Sequence, residues 1–203
     1  DEIILNPLSW YEEHGIRLHT SKRVAQIDRI KRVVVADDGT TAAYDRLLLA
    51  TGSNPFILPV PGKELRGVIT YRDIADTEAM IEASKSYKKA VVIGGGLLGL
   101  EAANGLKLRG MDVTVVHIMP WLMERQLDEH AGKLLQRSLE ARGIRFEIGA
   151  ETAELLGAAD DLRTGALAPR PRVRFVRFKD GREIPADLVV MAAGIRPNTE
   201  LAE

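Results

Sequence analysis

The chain has 203 residues, a formal net charge of −1, and 45% hydrophobic and 28% charged residues, which is the balance of an ordinary globular protein. Near-neutrality gives no sign of a nucleic-acid or anionic-membrane partner, and the absence of cysteine excludes a disulfide scaffold, a thiolate metal site, an iron–sulfur cluster and a redox dithiol within the chain. The histidines His14, His19, His117 and His130 are too scattered to outline a metal site, and the longest apolar run, Ala90 to Leu100, is too short to span a bilayer. With Asp1 first and no leader pattern, the sequence reads as an excerpt of a larger cytoplasmic protein.

In chain order, Gly15 to Thr20 alternates like a strand, and Val24–Asp28 and Arg32–Ala36 are short and rich in β-branched residues. Asp37-Asp38-Gly39-Thr40 predicts a hairpin turn, because Asp-Gly supplies the positive φ of a tight turn. Leu47 to Ala50 reads as a buried strand. Residues 53 to 68, with Pro55, Pro59, Pro61 and Gly62, read as a linker and domain boundary. A helix is expected from about Asp76 to Tyr87, with Asp76 as its N-cap and Ala79, Met80 and Ala83 on one face.

Next comes the clearest pattern. Ala90 to Ile93 is a buried strand, Leu97 to Arg109 a helix ended by Gly110, and Val113 to His117 a second strand. A further helix runs from about Asp128 to Ala141, is stopped by Gly143, and leads into Ile144–Ile148. This alternation predicts a doubly wound parallel unit. An antiparallel meander follows: Val173–Phe178, a turn at Asp180-Gly181 and a strand around Ile184. Asp187 to Ala192 is one more apolar strand. Gly157 to Pro171 reads as a long exposed loop, and Arg170, Arg172, Arg174 and Arg177 as a solvated strand face.

The strand–turn–helix around Gly94-Gly95-Gly96-Leu97-Leu98-Gly99 predicts a dinucleotide site. Gly94 makes the turn, Gly96 lets a pyrophosphate approach the backbone, and Gly99 lets the helix lie close to the strand. The helix N-terminus presents free N–H groups and partial positive charge to the phosphates. At the end of the second strand, where an acidic residue usually accepts from the ribose 2′-hydroxyl of NAD, stands His117. Two readings stay open: a ribose contact that leaves NADPH admissible, and a histidine that merely caps the strand. Arg125 is close enough in sequence to meet a 2′-phosphate, or else forms a surface salt bridge.

Tyr44-Asp45, Leu49-Ala50-Thr51-Gly52-Ser53, the Gly94 loop with Glu101, and Val189 through Ala193-Gly194-Ile195-Arg196-Pro197-Asn198 together resemble the FAD-dependent pyridine nucleotide–disulfide oxidoreductase superfamily. More narrowly, Val91–Leu100, Val113–His117, Leu122-Met123-Glu124-Arg125-Gln126-Leu127-Asp128 and the closing Met191–Asn198 segment are similar to the large subunit of NAD(P)H-dependent nitrite reductases. The resemblance implies a Rossmann-type NAD(P)H domain with a parallel sheet and antiparallel meander, joined to an incomplete β-rich part of an FAD domain. Residues 1–60 would belong to the FAD domain, 61–195 to the nucleotide domain, and 196–203 to the return toward the FAD domain.

The resemblance also implies that hydride passes from NADH or NADPH to FAD, feeding nitrite reduction to ammonia at sirohaem and an iron–sulfur cluster outside this chain. Glu101 would lie near the nicotinamide ribose, with a helix-face ion pair as its alternative. Ala193 and Gly194 would border the nucleotide, and Val24, Thr51 and Gly52 would approach FAD. No catalytic side chain and no metal ligand is expected here, because the reacting atoms belong to cofactors. The fragment alone is expected to be inactive. Expected partners are the nicotinamide nucleotide, the rest of the polypeptide and a small subunit. Two alternatives remain: a rubredoxin or ferredoxin reductase or NADH oxidase-type flavoprotein, and a nucleotide sensor without turnover.

Overall fold

The computed structural model describes residues 4–157 and 171–203. They form two compact units, one of residues 1–52 with 198–203 and one of residues 53–197.

In the first unit a short helix α1 (Leu8–Glu13) precedes an antiparallel sheet of β1 (Val24–Asp28), β2 (Val33–Ala36) and β3 (Thr41–Ala43). The expected Asp-Gly turn joins β2 to β3, with Gly39 at φ +84°. Two expected strands are absent. Gly15–Thr20 runs without a ladder, and so does Leu47–Ala50, where Leu48 is 88% exposed. A strand needs a neighbour for its N–H and C=O groups, and among the described residues neither segment has one.

The second unit is built on a wholly parallel sheet of β5 (Val68–Thr70), β6 (Lys89–Ile93), β7 (Asp112–His117), β8 (Arg145–Ile148) and β12 (Leu188–Met191), in the order β5-β12-β6-β7-β8. Its inner strands β6, β7 and β12 are nearly continuous apolar runs because both faces are covered. Ala90, Val92, Val113, Val115, Leu188 and Val190 pack with α2 (Ile74–Ser86) and α3 (Leu97–Leu108) through Met80, Leu100, Ala103 and Leu106. Leu139 of α4 (Glu129–Glu140) joins the same cluster. The alternate residues Val91, Ile93, Val116, Val189 and Met191 meet Leu155, Val173, Val176 and Phe178. These belong to an antiparallel sheet of β9 (Thr152–Gly157), β10 (Val173–Phe178) and β11 (Glu183–Pro185). The β10–β11 hairpin pairs Phe175 with Pro185 and Arg177 with Glu183.

The structure changes several expectations. Residues 53 to 68 are not a plain linker: Ser53–Pro55 forms β4, paired antiparallel with β13 (Ile195–Pro197), and Val68 opens β5. Three-residue strands are too short to show periodicity, and their pairing uses only backbone. α2 begins earlier than expected, with Asp73 as its N-cap: the Asp73 carboxylate accepts from the Asp76 N–H at 2.9 Å. Asp76 instead accepts from the Arg72 N–H at 2.7 Å, which anchors the residue before the cap. Both positions carry aspartate, so composition alone does not choose between them.

The loop expected over Gly157–Pro171 falls largely on residues 158–170, outside the described residues, as does Arg170. Arg174 and Arg177 pair on the surface with Asp187, and with Glu154 and Glu183. Arg172 is less solvated than a surface arginine: its guanidinium carbon lies 3.4 Å from the Tyr87 ring centroid and its Nε donates to the Asp187 carbonyl at 3.1 Å.

Candidate functional site

β7 and β8 lie on one side of β6 and β12 on the other, so the strand order reverses between β6 and β12. In open parallel sheets a crevice for ligands forms beyond the carboxyl ends of the strands at such a point. Two segments leave the sheet there: Gly94–Gly96 after β6, and Ala192–Gly194 after β12. They touch, because a Cβ on Gly94 would stand 2.3 Å from the Ala192 carbonyl oxygen, and Gly94 has φ +126°. Ala193 and Gly194 are exposed beside this turn.

The glycines are not equivalent. A Cβ on Gly99 would lie 1.9 Å from the Gly94 carbonyl oxygen, and one on Gly95 would lie 2.7 Å from the His117 ring and from Leu122. Packing therefore demands glycine at 94, 95 and 99. Gly96 is different. Its φ of −85° and ψ of −175° suit any residue, and a Cβ there would meet nothing within 4 Å.

Gly96 is also the N-cap of α3 and carries no side chain to satisfy the helix terminus. The first backbone bond into this end runs from the Leu100 N–H to the Gly96 carbonyl at 3.0 Å. The N–H groups of Gly96, Leu97, Leu98 and Gly99 find no acceptor among the described residues. Unpaired donors, an open backbone and the positive end of a helix suit an oxyanion such as a pyrophosphate. Glu101 is exposed one turn further along α3.

His117 closes β7 and is 6% exposed. Its Nδ1 accepts the Gly95 N–H at 3.0 Å, which leaves the ring hydrogen on Nε2. Nε2 lies 3.0 Å from the Trp121 carbonyl oxygen and 3.2 Å from Glu124 Oε2. Both nitrogens thus have protein partners, and the imidazole as placed offers neither to a ribose. The Met123 N–H donates to the Gly95 carbonyl at 3.0 Å, so the last residue of β7 and the segment after it together hold both peptide groups flanking the Gly95 Cα.

This segment is itself firmly set. Leu122 is fully buried, Trp121 Nε1 donates to the Leu127 carbonyl at 3.0 Å, and Met123 sits at φ +54°. Left-handed backbone at a non-glycine residue persists only where surrounding contacts impose it. Arg125 projects into solvent, 85% exposed, with its Nε 4.0 Å from Glu124 Oε1. Sequence reasoning passed over Glu124 and the clamp of Trp121, Leu122 and Met123 as site residues. The one legible signal was an acidic residue seven positions after a histidine that stands where acid is usual.

In the first unit, Thr51 is engaged with the far end of the chain. Its Oγ1 donates to the Asn198 carbonyl at 2.7 Å and its own carbonyl accepts from Asn198 Nδ2 at 2.9 Å. Gly52 adopts φ +70° in open surroundings, and Val24 opens β1. Among the described residues no group of three or more His, Asp or Glu side chains forms a metal site, and no helix is long and apolar enough to cross a membrane.

Residues 3–203 match the family described as pyridine nucleotide-disulphide oxidoreductase. The chain belongs to that family. Membership makes it part of an oxidoreductase fold that works with a pyridine nucleotide and a flavin. It is 54% identical over 200 residues to the nitrite reductase [NAD(P)H] of Bacillus subtilis (98% of this chain and 23% of that protein). To the assimilatory nitrate reductase electron transfer subunit of the same organism it is 45% identical over 202 residues, 100% of this chain and 25% of that protein. A crystal structure of a ferredoxin reductase from Rhodopseudomonas palustris superposes with a TM-score of 0.87 at 31% identity, over 98% of this chain and 46% of that one. The chain thus spans about a quarter of the length of these two relatives.

Proposed function

We propose that residues 53–197 are the nucleotide-holding domain of a flavoprotein reductase, and that residues 1–52 with 198–203 are part of its FAD domain. The carrying observation is Gly96. The fold tolerates any side chain there, so its glycine serves something that approaches from outside the protein. A pyrophosphate against the N–H groups of Gly96–Gly99 meets that description.

Held at Gly96–Gly99, NAD(P)H would supply hydride and a flavin would take it up. The chain's own contribution is to bind and orient. Gly94 and Gly99 seat α3 on β6, Ala193 and Gly194 border the crevice, and Glu101, exposed on α3, would orient the nicotinamide end. His117 acts through the glycine turn it holds. Val24, Thr51 and Gly52 would approach the flavin, the last two through their N–H groups, since the Thr51 hydroxyl and the Thr51 and Gly52 carbonyls are already bonded to Asn198.

The similarity to the Bacillus subtilis nitrite reductase supports a place in nitrite reduction, with sirohaem and an iron–sulfur cluster elsewhere in the polypeptide and a small subunit as a further partner. The similarity to an electron transfer subunit supports a second reading, in which the acceptor is a separate redox protein. The absence of an apolar spanning helix among the described residues fits a cytoplasmic site of action.

Anaerobic titration of the full-length protein with NADH and with NADPH tests these readings. Binding at about 10–100 μM, worth about 5.5–7 kcal/mol, with bleaching of the oxidised flavin is expected. Nitrite consumption then separates the first reading from the second. Binding without bleaching would favour a nucleotide sensor.

A further inference from the structure

We infer that Glu124, held in place by His117, is the carboxylate that faces the adenosine ribose and makes this site prefer NADH over NADPH. The inference rests on the nucleotide site proposed above. Recognition of a ribose diol without a 2′-phosphate calls for an acceptor at the end of β7, beside the glycine turn. The residue there is a histidine whose nitrogens are both spent, on the Gly95 N–H and toward Trp121 and Glu124.

Glu124 supplies what the histidine lacks. Its Oε2 lies 3.2 Å from His117 Nε2, whose one hydrogen it shares with the Trp121 carbonyl at 3.0 Å, so the imidazole steers one carboxylate oxygen. The next residue back, Met123, donates to the Gly95 carbonyl, so Glu124 leaves a backbone already bonded to the glycine turn. Its side chain is 22% exposed, so it is not sealed from a ligand. The imidazole therefore acts as a spacer that fixes a negative charge one hydrogen bond beyond the turn.

A fixed carboxylate accepts from two ribose hydroxyls and repels a 2′-phosphate. Arg125 does not offset this, because its guanidinium stands 85% exposed at 4.0 Å from the other carboxylate oxygen, where solvent screens it. His117 is in these terms a positioning residue and Glu124 the specificity residue.

The test is the ratio of NADH to NADPH affinity in the full-length protein, by calorimetry, for wild type, Glu124→Gln and His117→Gln. Glu124→Gln keeps the shape and removes the charge, and is expected to move the ratio at least tenfold toward NADPH. His117→Gln is expected to move it in the same direction by a smaller factor, because the carboxylate survives without its anchor. An unchanged ratio in Glu124→Gln would overturn the proposal, as would an equal loss of both nucleotides, which is the mark of a merely structural role. Failure of the wild type to bind either nucleotide would instead strike the proposed site itself.

Discussion

The Gly95 N–H donates to Nδ1 of His117 across 3.0 Å, tying the turn after β6 to the last residue of β7. The bond is buried, and its donor has no other acceptor among the described residues. Replacing His117 with Phe keeps an aromatic ring, somewhat larger than imidazole, and removes the acceptor. An unpaired buried N–H costs about 1–3 kcal/mol, so urea unfolding of His117→Phe should show that loss. A midpoint equal to wild type would mean that water reaches the Gly95 N–H.

Gly96 and Gly99 are three residues apart and should respond oppositely. Gly96→Val enters open space at ordinary backbone angles, so the unfolding midpoint should stay within about 0.5 kcal/mol of wild type, the range of surface changes. Nucleotide affinity should fall at least tenfold. Gly99→Ala puts a methyl 1.9 Å from the Gly94 carbonyl oxygen. It should forfeit stability first, by about 1–3 kcal/mol or more, the cost of overpacking. Retained affinity in Gly96→Val would remove the main support for the pyrophosphate cradle.

Arg172, just before β10, couples the end of α2 to the residue that precedes β12, stacked on Tyr87 and bonded to the Asp187 carbonyl. Burial pulls its guanidinium below the usual arginine range, although it stays charged at neutral pH. Arg172→Lys retains charge but loses the planar stack and its fixed Nε geometry. The expected loss is about 0.5–2 kcal/mol, the span of cation–π contacts, measured by thermal unfolding against Arg174→Lys. The latter sits in a 3.5 Å surface pair and should shift little.

The start of α2 offers a test of the corrected boundary. Asp73→Ala removes the cap on the Asp76 N–H and should cost about 0.5–2 kcal/mol. Asp76→Ala frees the Arg72 N–H and the Thr70 hydroxyl instead, and the helix start itself should remain. Amide exchange separates the two cases: faster exchange in the first turn of α2 is expected for Asp73→Ala only. Equal protection loss in both would place the cap at neither residue alone.

Much of the second unit was legible because strand and helix periods leave plain marks. Ala90–Ile93 and Leu188–Met191 are apolar throughout and Val113–His117 nearly so, as expected where both faces of a sheet are covered. The helices were fenced by Asp128 at one start and by Gly110 and Gly143 beyond two ends. β4, β5 and β13 left no mark, since three residues are too few for a period and their pairing uses backbone. Gly15–Thr20 and Leu47–Ala50 show the reverse error, a strand pattern with no neighbour to pair with.

By itself the sequence determined a glycine turn between an apolar strand and a helix, and therefore a candidate anion cradle, because that chemistry is local and written in adjacent residues. Only the tertiary structure decided which glycine serves a ligand and which serve packing, since the atoms that crowd Gly94, Gly95 and Gly99 come partly from β7 and from the segments after β7 and β12. It also decided what His117 does. A histidine's role depends on which groups meet its two nitrogens, and here those groups arrive from residues 95, 121 and 124, brought together by the parallel pairing of β6 with β7.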